Sequence, residues 1–442
     1  MANGEPAYGR ILHLALPVIL SNLSIPLLGA VDTAVVGHLD APSKIGGVAV
    51  GALIFSFLYW GFGFLRMGTT GLAAQAHGGG RRQETGLILL RALALGGVIG
   101  LVLIVLQIPL QHLAIPLVGG SEAVSRLAAD YFTIRIWSAP FVMANYAFMG
   151  WFIGTQNTRA LLITQLWMNG LNILLDLFLV LQLGMGVEGV ALATAIAEIS
   201  VVFLSLPLAL RHGTRIGVML ADLRGFWSPA AFRHLLVVNV NILIRTLLLI
   251  FSFSYFTSAG ARQGDVVLAA NAVLMNFLGF LSYGLDGFAN AAEALVGEAI
   301  GRGDKFLLRR AVLRAGVMGL ALSLLYMLVY ALWGKEIIAL LTAMAPVRQT
   351  AATYLPWVVL APLLSFWCFH LDGIFIGAAR TAEMRNAMLV STALYLALAI
   401  WWQSLYGNHG LWGALMVFFL VRALALGLYY PRLERLSFSR SA

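Results

Sequence analysis

Twelve apolar runs of membrane-spanning length follow one another through this chain of 442 residues, and nothing else in the sequence restricts the fold as much. Inside a bilayer every backbone N–H and C=O must be satisfied by the protein itself, so only helices and closed barrels cross it. A barrel would need short stretches of alternating polarity, whereas these runs are long and continuously apolar, and a spanning helix needs roughly 20 such residues. The runs read as helices over 11–36, 45–75, 87–113, 127–154, 159–184, 187–211, 233–260, 266–301, 307–333, 353–377, 383–406 and 410–431. Only 11% of residues are charged, against about a quarter in soluble domains. The fold class is therefore an all-α membrane protein with twelve transmembrane helices.

The second half repeats the layout of the first. Gly150-Trp151-Phe152-Ile153-Gly154 returns as Gly373-Ile374-Phe375-Ile376-Gly377, an offset of 223, and Gln75-Ala76-His77-Gly78 returns as Glu298-Ala299-Ile300-Gly301 at the same offset. Gly186 and Gly189 match Gly407 and Gly410 at 221. Midway, a polar stretch with Gly213, Gly217, Gly225 and Pro229 reads as a cytoplasmic linker over 213–232. It separates an N-lobe of helices 1–6 (1–212) from a C-lobe of helices 7–12 (233–442). Six crossings return each half to its starting side, so two pseudo-symmetric six-helix bundles related by an axis along the membrane normal are expected. Duplication of this kind is typical of secondary transporters, which bind cargo near the midplane, and a cleft between two such bundles can open to either face in turn.

Charge sets the expected orientation. Of the 28 Lys and Arg, nineteen fall on segments sharing one side with the N-terminus and five (Lys44, Arg126, Arg262, Lys335, Arg348) on the other. The positive-inside rule then places both termini in the cytoplasm. The formal charge of +9 is accounted for by loops facing anionic lipid headgroups, without a nucleic-acid partner. The polar start with Asn3, Glu5, Tyr8 and Arg10 is too short, and the run after it too long, for a cleavable signal, so the first helix is expected to be retained. A single cysteine, Cys368, allows no intramolecular disulfide.

Several motifs resemble enzyme signatures without their context. Gly184-Met185-Gly186-Val187-Glu188-Gly189 fits G-x-G-x-x-G but has no strand before it. His77-Gly78-Gly79-Gly80 resembles a lipase oxyanion loop, yet there is no G-x-S-x-G elbow. Neither a P-loop nor H-E-x-x-H is present, and the eight histidines lack ligand spacing. The reading is of a protein that is not an enzyme and uses neither cofactor nor metal centre, its energy coming from an ion gradient or from the substrate's own gradient.

Carboxylates within apolar runs are costly and mark function. Seven qualify: Asp32, Asp176, Glu198, Asp286, Glu293, Glu298 and Asp372. Asp32 follows Pro17 and Pro26 on the first helix; because proline removes a helical hydrogen bond, these two mark where that helix can bend with the charge of Asp32. Asn172 and Asp176 are four apart and share a helical face, and Thr194 on the next helix can complete a polar set with Asp32. Such a set can trade a proton, hold a dehydrated Na⁺, or serve as polar glue between helices. In the second half Asp286 and Glu293 lie two turns apart, with Asp372 on another helix. These acids either attract a cationic substrate or are neutralised by Arg245 and Arg422; Arg66 and Arg135 are the corresponding cations of the first half. Glu198 and Glu298 read as lying close to helix ends and rank last.

The residues resemble the multidrug and toxic compound extrusion (MATE) transporters, in particular their DinF branch. The resemblance spans essentially the whole chain. It is carried by Leu16-Pro17, the stretch Gly29-Ala30-Val31-Asp32-Thr33-Ala34-Val35-Val36-Gly37-His38-Leu39, Phe64-Leu65-Arg66-Met67-Gly68-Thr69-Thr70-Gly71-Leu72, Leu285-Asp286-Gly287-Phe288-Ala289 and Leu371-Asp372-Gly373-Ile374-Phe375-Ile376-Gly377-Ala378. It implies a multi-pass antiporter of the bacterial inner membrane that exports cationic or amphiphilic compounds in exchange for H⁺ or Na⁺, with no cofactor, and it is expected to act as a monomer. By the same resemblance Asp32 is the coupling switch, Asn172, Asp176 and Thr194 its polar neighbours, and Tyr131 a substrate-cavity residue beside Asp286, Glu293 and Asp372. The NorM branch has an acid on its seventh helix; here the run 233–260 carries Asn239, Asn241 and Arg245 instead, which favours H⁺ over Na⁺ and the N-lobe over the C-lobe. The alternative reading is a flippase for a lipid or lipid-linked precursor, with Arg66, Arg135, Arg245 and Arg422 as phosphate partners.

Overall fold

The computed structural model describes residues 8–37, 41–218 and 223–438, with the side chains of Ala30, Asp32 and Thr33 outside the description. Among the described residues there is no strand. Fifteen α-helices follow in order: α1 (Tyr8–Val36), α2 (Pro42–Gly61), α3 (Phe64–Gly78), α4 (Arg82–Val105), α5 (Gln107–Val118), α6 (Glu122–Arg135), α7 (Ala139–Gly154), α8 (Thr158–Asp176), α9 (Gly186–Arg215), α10 (Pro229–Ala261), α11 (Asp265–Arg302), α12 (Lys305–Leu341), α13 (Ala345–Gly377), α14 (Thr381–Tyr406) and α15 (Asn408–Phe438). Eleven described stretches are long and apolar enough to span a bilayer, Pro42–Gly78 counting as one. The all-α, multi-pass architecture expected from the sequence is what the structure has.

The extra helices come from breaks within expected runs. The run 45–75 divides at Phe62 and Gly63, where glycines on either side weaken the helix. The run 87–113 divides at Leu106 into α4 and α5. The run 127–154 passes through a 3₁₀ turn, Ile136–Ser138, ahead of Pro140, which sits in the first turn of α7 where a missing N–H costs nothing. In the second half α13 starts at Ala345 rather than 353 and runs unbroken over Pro356 and Pro362.

Two compact units emerge, Leu20–Leu235 and Met1–Ile19 with Leu236–Ala442. This differs from the expected lobes at α1, whose first part goes with the second half. Ile11, Leu14 and Ala15 pack against Phe288, Ala291, Ala292, Leu295, Ala311 and Ala315. Gly287 admits Ile19, whose Cγ1 would lie 2.3 Å from any Cβ placed there, and Arg10 pairs with Glu298 at 2.6 Å. Small residues let apolar helices approach this closely in lipid, where no hydrophobic drive holds them together. Pro17 and Pro26 fall on either side of the change at Ile19/Leu20. The expected linker is also shorter: α9 reaches Arg215 and α10 begins at Pro229, while Arg91 of α4 holds the connecting segment at the carbonyls of Gly225 (2.7 Å) and Phe226 (3.2 Å).

The sequence repeat is a repeat of contacts. A Cβ on Gly150 would meet the Arg66 carbonyl at 2.3 Å and one on Gly373 the Ala289 carbonyl at 2.5 Å; Gly154 faces Thr70 O at 2.6 Å and Gly377 faces Glu293 O at 2.4 Å. Both members of each facing pair are displaced by 223 residues. Left-handed turn residues follow the same offset, Gly80 with Gly303 and the non-glycine Gln156 with Ala379.

Candidate functional site

In the unit Leu20–Leu235 a polar face runs the length of α8. Gln165, Asn169, Asn172 and Asp176 recur at helical spacing and are all buried, Asp176 completely. At Asp176 the α-helix gives way to a π-helical turn, Leu177–Gln182, a local distortion that recurs at functional sites. Asn169 donates to Ser24 Oγ of α1 at 2.6 Å, and Ser24 in turn donates to the Ser21 carbonyl at 2.6 Å. Asn172 donates to Thr194 Oγ1 of α9 at 3.3 Å, so two members of the predicted polar set, Asn172 and Thr194, are brought together, with Asp176 one turn along the same face. Asp32 stands two turns after Ser24 on α1, and its side chain lies outside the described residues.

From Thr194 the polar contacts continue. Its hydroxyl interacts with that of Tyr131 on α6, and Tyr131 accepts from Arg135 Nη1 at 3.0 Å. Arg135 pairs with Glu198, one turn beyond Thr194, at 2.7 Å. Ser138 donates to the other Glu198 oxygen at 2.5 Å. The guanidinium carbon lies 4.9, 5.7 and 5.9 Å from the ring centres of Phe55, Tyr59 and Tyr131, close enough for cation–π attraction in a desolvated setting. Tyr131 is thus 2% exposed and packed on Gly51, where a Cβ would come within 2.4 Å of its ring.

Glu198 does not lie near a helix end, as its rank implied, but near the middle of α9 and buried. Its place near the centre of the run 187–211 was the available signal. Glu298 is likewise buried, between Arg10 (2.6 Å) and Arg302 (2.5 Å). Asn169 and Gln165 were missed, although their spacing from Asn172 and Asp176 continues one polar stripe.

In the unit containing residues 236–442 the acids are disposed differently. Asp372 of α13 accepts from both Arg245 of α10 and Arg422 of α15 through Oδ2. Of the two possibilities left open by the sequence, neutralisation by these arginines is the one realised. Asp286, half-buried on α11, acts electrostatically on both guanidiniums. Glu293 is 2% exposed, its backbone carbonyl in the groove under Gly377. Asp372 is therefore the acid paired with both cations, whereas Glu293 is placed at the α11–α13 packing seam. Repeat and charge part company here: the counterpart of Asp372 at an offset of 223 is Met149.

A duplicated multi-pass helical fold with buried acids and a polar path inside one bundle defines an integral membrane protein of the secondary-transporter class. The MatE family model matches residues 17–178 and 241–401, one stretch in each half, and the chain belongs to that family of transporters. It is 45% identical over 424 residues to the DNA damage-inducible protein F of Escherichia coli strain K12, covering 95% of this chain and 91% of that one. It is also 23% identical over 445 residues to the protein DETOXIFICATION 44, chloroplastic, of Arabidopsis thaliana, covering 95% and 82%. A MATE crystal structure in complex with MaD3S has the same fold, with a TM-score of 0.86, 20% identity and coverage of 99% and 97%.

Proposed function

We propose that this transporter exports cationic or amphiphilic compounds across the bacterial inner membrane in exchange for protons, by alternating access, with both termini in the cytoplasm. The observation that carries the reading is the buried polar face of α8. It presents a fully buried carboxylate, Asp176, beside the Asn172–Thr194 bond, and is tied to the helix of Asp32 through Asn169 and Ser24. In this reading a proton taken up from the outer side neutralises Asp32, its polar neighbours reorganise, α1 bends about Pro17 and Pro26, and cargo leaves outward. Proton and substrate then oppose one another because each favours a different state, and the coupling is reciprocal.

The proton is preferred to Na⁺ because α10 carries no acid and its Arg245 is engaged by Asp372. The test is dye efflux in everted membrane vesicles under an imposed ΔpH or ΔNa⁺. Export that collapses with ΔpH alone supports the proposal; export that follows ΔNa⁺, or an absence of export, overturns it. A second reading, translocation of a lipid or lipid-linked precursor, draws on the buried Arg245 and Arg422, and transbilayer movement of a labelled lipid in proteoliposomes would favour it.

A further inference from the structure

The coupling scheme makes no use of the basic cluster on α10, α13 and α15. Arg245 and Arg422 are 6% and 5% exposed, and each donates through Nη2 to the same atom, Asp372 Oδ2. A guanidinium carries five N–H donors in a rigid fork, and a carboxylate gripped bidentately uses two of them with both of its oxygens. Here two forks converge on one oxygen. The Nε–H of Arg245 and that of Arg422 are both sealed from solvent with no acceptor. The cluster thus offers more buried donors than Asp372 engages.

The support is rigid. Next to Asp372, Gly373 seats α13 on the Ala289 carbonyl, with no room for a Cβ. One turn earlier Cys368 donates to the Phe419 carbonyl of α15 at 2.8 Å, fixing α13 against the helix that bears Arg422. Packing therefore fixes the backbone of α13 at Asp372 and that of α15 near Arg422. A neutral water can accept from an Nε–H, but it cannot replace the charge of a carboxylate between two guanidiniums.

We infer that Arg245 and Arg422 form a buried oxyanion site, with Asp372 as the resident anion, at which the phosphate or carboxylate group of a ligand exchanges with the Asp372 carboxylate. Nothing in this inference depends on proton-coupled cation export, and its test measures binding rather than transport, so the two can fail separately. The ligand chemistry is that of a phosphoryl or carboxyl oxyanion, whether free or on an amphiphile.

The experiment uses the purified full chain in maltoside micelles, titrated with inorganic phosphate and with dodecyl phosphate, against sodium chloride at matched ionic strength. Binding is read by calorimetry and thermal unfolding. Wild type is expected to bind at least one of the two saturably, with a raised unfolding midpoint that chloride does not reproduce. Loss of a charged hydrogen-bond partner in R245Q or R422Q should weaken binding about tenfold or more, and D372N, freed of its internal competitor, should bind about tenfold more tightly. Response to both ligands or to phosphate alone marks a free oxyanion site; response to dodecyl phosphate alone marks a headgroup site. If R245Q and R422Q do not fold, D372N decides. No saturable binding by wild type and D372N, equal binding by the two, or binding undiminished in a folded R245Q overturns the inference.

Discussion

Arg135 of α6 is ion-paired to Glu198 of α9 at 2.7 Å, inside an enclosure of Phe55, Tyr59 and Tyr131. Removing one partner leaves the other charge buried and uncompensated, which costs about 3–5 kcal/mol, whereas removing both is often close to neutral. Arg135→Gln and Glu198→Gln are each expected to lower stability by that amount, and the double variant to recover most of it. Denaturant unfolding in micelles, run as a double-mutant cycle, checks this; additive losses would show that the two residues act separately.

The glycines at the repeat contacts should be intolerant of even a methyl group. Gly150→Ala brings a Cβ within 2.3 Å of the Arg66 carbonyl, and Gly373→Ala within 2.5 Å of the Ala289 carbonyl. Each should cost about 1–3 kcal/mol through forced helix separation. Gly170→Ala, with nothing within 4 Å, should be neutral or gain up to about 1 kcal/mol from helix propensity. Thermal unfolding of the three variants side by side is the measurement.

The α8 stripe predicts a graded loss of transport. Thr194→Val removes the acceptor of Asn172, and Asn169→Leu removes the link to Ser24. A hydrogen bond is worth about 0.5–1.5 kcal/mol net, so export should fall about three- to tenfold in each, with folding retained, and Thr194→Ser should stay near wild type. Initial efflux rates in proteoliposomes at fixed ΔpH decide it. A wild-type rate for Thr194→Val would remove Thr194 from the coupling set.

Much of the fold was legible because bilayer-length apolar runs leave a chain little choice, and because the paired motifs at an offset of 223 mark real helix contacts. The breaks at Phe62–Gly63, Leu106 and Ile136–Ser138 were not, since hydropathy averages over a kink of one or two residues. The sharing of α1 between two units was hidden for a different reason: Ile11, Leu14 and Ala15 are matched to residues 288–315, a pairing set by small-residue complementarity far along the chain. Within the site, the Asn172–Thr194 pairing was readable from spacing and helix order. The partners of Asp372 were not, because sequence names the candidate arginines without saying which converge, and Glu198 was undervalued although its position near the middle of a run already implied burial.

The most direct test of proton-coupled export is proton movement itself, recorded with a pH indicator trapped in proteoliposomes while a cationic substrate is added without any imposed gradient. Wild type is expected to move protons opposite to the substrate, and Asp32→Asn to lose that movement while still folding. Proton flux in Asp32→Asn equal to wild type, or a wild type that moves Na⁺ and no protons, would contradict the account.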